Sequence, residues 1–304
     1  MDCPRPTRGH SWSLTFWLAP LVFGPCLAHG APMSEPEPVA IVASVSGAAQ
    51  VKPPAGPQRG LGLFERLFVG ATVRTDPQSI VTVAFANGQR FELRGEADVT
   101  LGREGFARTR GLVRTLTPVP PLHRIPPVRD LERGRTAALR VRGGVVGGLY
   151  PRDGAAVLAD EAVLRFSAPP EAGPCRVEVE DAAGNSISRT DSGGSEAALP
   201  KGVLAPDQHY TWRVRCPAAT GVTLRADASF VTLSKEQGEA RTALKAAAQA
   251  DASSLALLAE IDQGLGLLRE AREEFRAASE REPGNAALEA ALARLDRWMG
   301  DPAR

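Results

Sequence analysis

Four cysteines and four histidines are the most reactive side chains in this chain, and their spacing argues against catalysis. His123 sits in a proline-rich stretch and His209 just before Tyr210. Neither has a serine or cysteine nucleophile and an orienting carboxylate close by in sequence. His10 and His29 fall in an N-terminal leader. There is no HExxH, no paired CxxC and no phosphate-cradling glycine loop, and two isolated cysteines without a nearby histidine do not make a metal site. Gly143-Gly144 and Gly147-Gly148, which flank Val145-Val146, read as a flexible approach to a domain. Asp181 to Asn185 and Asp191 to Gly194 lack the ligand spacing of a calcium loop and read as turns. The expectation is a protein that is not an enzyme and uses no cofactor or metal.

Charge is the remaining chemistry. The formal net charge is +1, which gives no overall attraction for nucleic acid. Locally, residues Arg103 to Arg142 hold ten arginines against Glu104, Asp130 and Glu132. Arg124, Arg129, Arg133, Arg135, Arg140 and Arg142 are candidate contacts for a polyanion such as lipid phosphate or an anionic cell-wall polymer. The same stretch also reads as a solvated connection, since no aromatic residue interleaves the arginines.

The elements that position these residues begin with a leader. Arg5 and Arg8 precede an apolar run from Leu14 to Leu27, and Ala28-His29-Gly30 supplies small residues for cleavage, so 1–30 reads as a secretory signal peptide. The alternative is an uncleaved anchor facing the periplasm, although Pro20, Gly24 and Pro25 interrupt the run. The first strand is expected over Val39 to Val45, a loop over Lys52 to Gly60, and a short helix over Leu61 to Phe68 from the spacing of Leu63, Phe64, Leu67 and Phe68.

From Val69 to Gly102 the apolar period is two. Val81, Val83 and Phe85 share a face, as do Phe91 and Leu93, and Val99 and Leu101. A two-residue Asn87-Gly88 hairpin would set Phe85 opposite Arg90 and put the apolar faces out of step, so an odd loop or a bulge is expected. Pro77 places the Val73–Thr75 segment at an edge of the sheet.

Val45, Gly47 and Val51, then Gly70, Val73, Arg74, Thr75 and Ser79, then Phe85, Gly88, Phe91 and Leu93, resemble the FecR domain over 38–115. The resemblance implies an all-β bacterial envelope module. In FecR proteins that module relays a signal across the inner membrane to a sigma factor by way of a cytoplasmic N-terminal part. Here the apolar run already begins at Leu14, so sigma regulation is the less favoured expectation.

A Pro/Arg-rich linker (116–142) follows. Residues 143–233 read as a β-sandwich in which Cys175, Val177 and Val179 alternate with charged residues, as do Tyr210, Trp212, Val214 and Cys216. Leu204, Pro206, Tyr210, Trp212 and Val214 resemble the tyrosine-corner pattern of fibronectin type III domains. That family usually lacks a disulfide, but export with two cysteines left after processing favours a Cys175–Cys216 bridge, worth about 4 kcal/mol on a loop-entropy estimate.

From Ser234 the period becomes helical, with segments at 235–249, 253–264, 267–281 and 285–299. Leu255, Leu258, Ala259, Ala271, Phe275, Ala278 and Pro283 resemble one tetratricopeptide repeat over 234–300, with Asp262 where that pattern carries an aromatic residue.

The expected fold class is multidomain and mainly β: a FecR-like all-β domain, a fibronectin/immunoglobulin-like sandwich and a helical tail. The expected function is non-enzymatic periplasmic binding or scaffolding of an envelope protein or cell-wall polymer, through a sheet edge or a helical groove. Alternatives are a FecR-type envelope regulator and a polyanion- or peptidoglycan-binding protein. Nucleic acid is not an expected partner, and a membrane is one only if the leader stays uncleaved.

Overall fold

The computed structural model describes residues 37–122 and 146–299. The expected signal peptide, His123 and all six candidate polyanion contacts (Arg124, Arg129, Arg133, Arg135, Arg140, Arg142) lie outside the described residues. Among those described, the chain is mainly β, sandwich-like, with sixteen strands followed by four helices.

The first eight strands are β1 (Ala40–Ser46), β2 (Ala49–Lys52), β3 (Arg59–Gly60), β4 (Arg66–Leu67), β5 (Thr72–Thr75), β6 (Ile80–Phe85), β7 (Arg90–Leu101) and β8 (Phe106–Leu116). They form one antiparallel sheet in the order β3-β2-β5-β7-β6-β1-β4, with β8 paired to β7. The hairpin between β6 and β7 has the expected odd loop. Ala86, Asn87 and Gly88 make the turn, closed by Gly88 N–H to the Phe85 carbonyl (2.9 Å) and Phe85 N–H to the Gln89 carbonyl (2.8 Å), with Gly88 at φ +86°. Val83 therefore pairs with Phe91 and Val81 with Leu93, so their side chains meet in one core. Thr82, Ala84, Arg90 and Glu92 take the opposite face.

Strand β7 bends where its partner changes from β6 to β5, between Arg94 and Asp98. Gly111 of β8 faces this bulge at φ +94°, where a Cβ would collide with the Glu96 carbonyl oxygen.

Two expectations are corrected. β5 pairs with β2 on one side and β7 on the other, so it is internal; Pro77 lies beyond its end and costs the ladder nothing. Residues 61–68 form no helix: Phe64 adopts φ +61° and β4 pairs with β1. The turn divides the apolar residues between two cores. Leu61 and Leu67 enter the sheet core, while Leu63 and Phe64 pack on the helices, with the Phe64 and Phe275 rings 5.5 Å apart.

The sandwich comprises β9 (Gly147–Tyr150), β10 (Ala155–Val157), β11 (Val163–Ser167), β12 (Cys175–Asp181), β13 (Ser186–Ser192), β14 (Glu196–Ala198), β15 (His209–Pro217) and β16 (Thr223–Thr232). Its sheets are β10-β16-β15-β12-β13 and β14-β11-β9. Trp212 is fully buried and donates its indole N–H to the Pro151 carbonyl at 2.7 Å, so its polar edge is satisfied. The Tyr210 hydroxyl accepts from Ala205 N–H at 2.8 Å. Cys175 and Cys216 are bonded (S–S 2.04 Å), joining the neighbouring strands β12 and β15. Asp181 accepts from the Ala183 and Asn185 N–H groups, the turn expected there.

The helices are α1 (Lys235–Ala248), α2 (Ala252–Leu265), α3 (Leu268–Arg281) and α4 (Ala286–Met299), close to their sequence-predicted bounds. A capping box of Ser234 and Gln237 starts α1, and Gly266 at φ +90° ends α2. α2 is buried on nearly every side because it lies at the centre of the fold. One core combines Leu255, Leu258 and Phe275 of the helices with Ile41, Ala43 and Ala84 of the sheet and Tyr150 and Ala155 of the sandwich. The helical tail thus shares a core with the sheet and the sandwich.

Asp262 occupies its unusual position because α1 brings a buried Arg241 to it. The guanidinium donates to Asp262 at 2.7 to 3.0 Å and to Glu274 at 3.0 Å. Burial and the adjacent Asp262 charge push the Glu274 carboxyl up to about 9, against its ordinary 4.5. The folded chain then holds a proton that the unfolded chain releases. Its contribution is complete at low pH and is lost as pH rises through that window.

Stability measured by urea titration is therefore expected to fall between about pH 5 and pH 9, with Glu274→Gln flattening the slope; equal slopes would contradict this assignment. Replacing both Cys175 and Cys216 by serine, which opens a loop of sequence separation 41, is expected to lower stability by about 4 kcal/mol in the same assay.

Candidate functional site

A cleft of about 900 Å³ opens where the off-core face of β1, β6 and β7 meets the α1–α2 and α3–α4 connections. The strand register builds its floor. Ser44, Thr82 and Glu92 are cross-strand neighbours, and the Ser44 hydroxyl donates to Thr82 at 3.2 Å. Ile80 and Ser46 form the next row. Asp251 and Ser253 make one wall, and Glu282, Pro283 and Asn285 the other.

Arg90 holds the first wall in place. It is only 3% exposed. Its terminal nitrogens donate to both Asp251 oxygens (3.1 to 3.3 Å), to the Ser253 hydroxyl (2.7 Å) and to the Ser254 hydroxyl (2.6 Å). Asp251 also caps α2, accepting from Ser254 N–H at 2.8 Å. Burial opposes its ionisation, but the hydrogen bonds from Ser253, Arg90 and the Ser254 N–H outweigh burial and hold the carboxyl at about 2. On the other wall Asn285 accepts from the Ala287 and Leu288 N–H groups and donates to Glu282 at 3.0 Å, which shapes the start of α4.

The chemistry offered is hydrogen bonding. Hydroxyls of Ser44, Ser46, Thr82 and Ser253 alternate with Val45, Ile80, Leu116 and Ala286, and Glu92, Asp251 and Glu282 add carboxylates. Among the described residues no histidine or cysteine lines the cleft. Asp251, the carboxylate that touches serine hydroxyls, is too weak a base to activate them at a pKa of about 2. Among the described residues no group of three or more His, Cys, Asp or Glu side chains is placed to hold a metal ion.

No family model matches the chain, and no curated protein matches it. Several solved structures are similar over parts of it. CopC from Methylosinus trichosporium OB3b is 18% identical, over 31% of this chain and 96% of that one, with a TM-score of 0.26. The fn3 domain of the human collagen alpha-1(XX) chain is 21% identical over 31% and 83%, with a TM-score of 0.25. The FN1-FN3 domains of chicken CNTN1 are 10% identical over 62% and 54%, with a TM-score of 0.22. Likenesses this distant carry nothing about what this chain binds.

The residues singled out by sequence are scattered. Cys175 and Cys216 are buried in the sandwich, and His209 is exposed at the start of β15. Of the arginine-rich stretch, Arg108, Arg110 and Arg114 lie exposed on β8. Sequence reasoning missed Arg90, Asp251, Ser253 and Ser254. The one available signal was Asp251 ahead of Ala-Ser-Ser at a helix start, a capping pattern that does not name its distant partner.

Asp251→Ala leaves a buried guanidinium short of its carboxylate and removes a cap. It is expected to cost about 3 kcal/mol or more by denaturant titration, and Arg90→Met less, because the methionine leaves no charge behind. The reverse ranking would contradict the clamp.

Proposed function

We propose that this chain is a non-enzymatic binding or scaffold protein of the bacterial cell envelope, exported to the periplasm, whose cleft receives an extended segment of an envelope partner. In this reading 38–115 is a FecR-like module, 143–233 a fibronectin-like sandwich and 234–300 a tetratricopeptide-like helical segment. The observation that carries it is the cleft itself, a trough of hydroxyls, small apolar groups and carboxylates between a sheet face and two helix connections. Such a lining suits a peptide backbone better than it suits group transfer. The Cys175–Cys216 bridge supports an oxidising compartment.

A photo-crosslinking amino acid at exposed Ser46, on the cleft, is expected to trap one discrete envelope protein by mass spectrometry. The same group at exposed Val222 of the sandwich is expected to trap none. Identical products from both positions, or none from Ser46, would overturn the reading.

A further inference from the structure

Among the described residues strand β8 pairs with β7 on one side and with no strand on the other, and eight of its 11 residues are exposed. An edge of this length is a ready template for another strand. Three features of its side chains bear on what joins it.

First, Arg108, Arg110 and Arg114 make no ion pair or side-chain hydrogen bond among the described residues, in contrast to Arg74 and Arg94 on the same sheet. The register explains why. Arg110 lies across from Asp98 and Arg114 across from Glu92. Those carboxylates are already held, Asp98 by Arg74 at 2.9 Å and Glu92 by Arg94 at 2.6 Å. Second, Leu112 sits between Arg110 and Arg114 on the same face and is 63% exposed. Third, Gly111 lies near the centre of the strand. A second copy pairing antiparallel about it would set Arg108 against Arg114, a like-charge contact that disfavours self-association.

We propose that the outer edge of β8 accepts an acidic extended segment of a partner protein as an added strand. Its recognition pattern is acid-x-acid-x-apolar-x-acid in either direction, the acids facing Arg108, Arg110 and Arg114 and the apolar residue facing Leu112. This surface adjoins the cleft at Leu116 and Glu92, but strand addition along the outer edge of β8 does not depend on whether the cleft binds a partner. β-Addition supplies affinity through the backbone, and the alternate side chains supply selection.

The test uses the full chain and a short labelled peptide with glutamate, glutamate, valine and glutamate at alternate positions and threonine between them. Fluorescence anisotropy is expected to show salt-dependent binding of this peptide and none of its lysine counterpart. Combined reversal of Arg108, Arg110 and Arg114 to glutamate, all exposed positions, is expected to weaken binding about tenfold or more and to admit the lysine peptide. Peptides N-methylated at every second residue separate strand addition from simple charge attraction. Methylation in one phase is expected to abolish binding and in the other to spare it, because alternate N–H groups face the edge. Equal binding of both methylated forms, undiminished binding by the charge-reversed chain, or binding of inorganic polyphosphate with no binding of the peptide would overturn the proposal.

Discussion

A guanidinium taken out of water must find its hydrogen bonds inside the protein, and Arg90 finds its partners in the first turn of α2. The hairpin register puts Arg90 on the off-core face of β7, where without the helices it would stand in solvent. With α2 seated there, Ile41, Ala43 and Ala84 become buried beneath Leu255 and Leu258. The sheet is therefore covered on both sides along β1 and β6. Arg66 and Glu260 add a second polar tie at 3.5 Å. The cleft is a consequence of this docking: its floor is the part of the same face that the helices leave uncovered.

α2 joins the two β modules. Its C-terminal Gly266 carbonyl accepts from Ala156 N–H of β10 at 2.8 Å, and the Tyr150 hydroxyl accepts from Arg269 N–H at the start of α3 at 3.0 Å. Arg152 stacks over the Trp298 ring of α4 at 4.1 Å. The buried cluster of Arg241, Asp262 and Glu274 then holds α1, α2 and α3 together by charge. Sheet, sandwich and helices thus share contacts that no one of them could satisfy alone.

Much of this was legible locally. The alternation in β6, β7, β12 and β15 gives their buried faces, the mismatch of Phe85 with Arg90 calls for an odd loop or a bulge, and glycine and proline stops mark the helices. What was not legible is long-range. The apolar spacing of Leu63, Phe64 and Leu67 is compatible both with a helix and with a turn that serves two cores, and the distant partners that distinguish them, Phe275 for Phe64 and β1 for Leu67, are not visible locally. Pro77 disfavours a central strand only if it falls within one, and it falls just outside. Arg90 and Asp251 are 161 residues apart, and nothing in either neighbourhood signals the other. The candidate site was hidden because it lies at a junction between modules, whereas motifs are read within them.

The central claim is that sheet, sandwich and helices form one cooperative unit organised on α2. Native-state hydrogen exchange under increasing denaturant tests it most directly. The amides of β6, α2 and β15 are expected to converge on one opening free energy, with no subset exchanging first. If α2 exchanged well below the free energy shared by the strands, the helices would be a peripheral attachment and the account would be wrong.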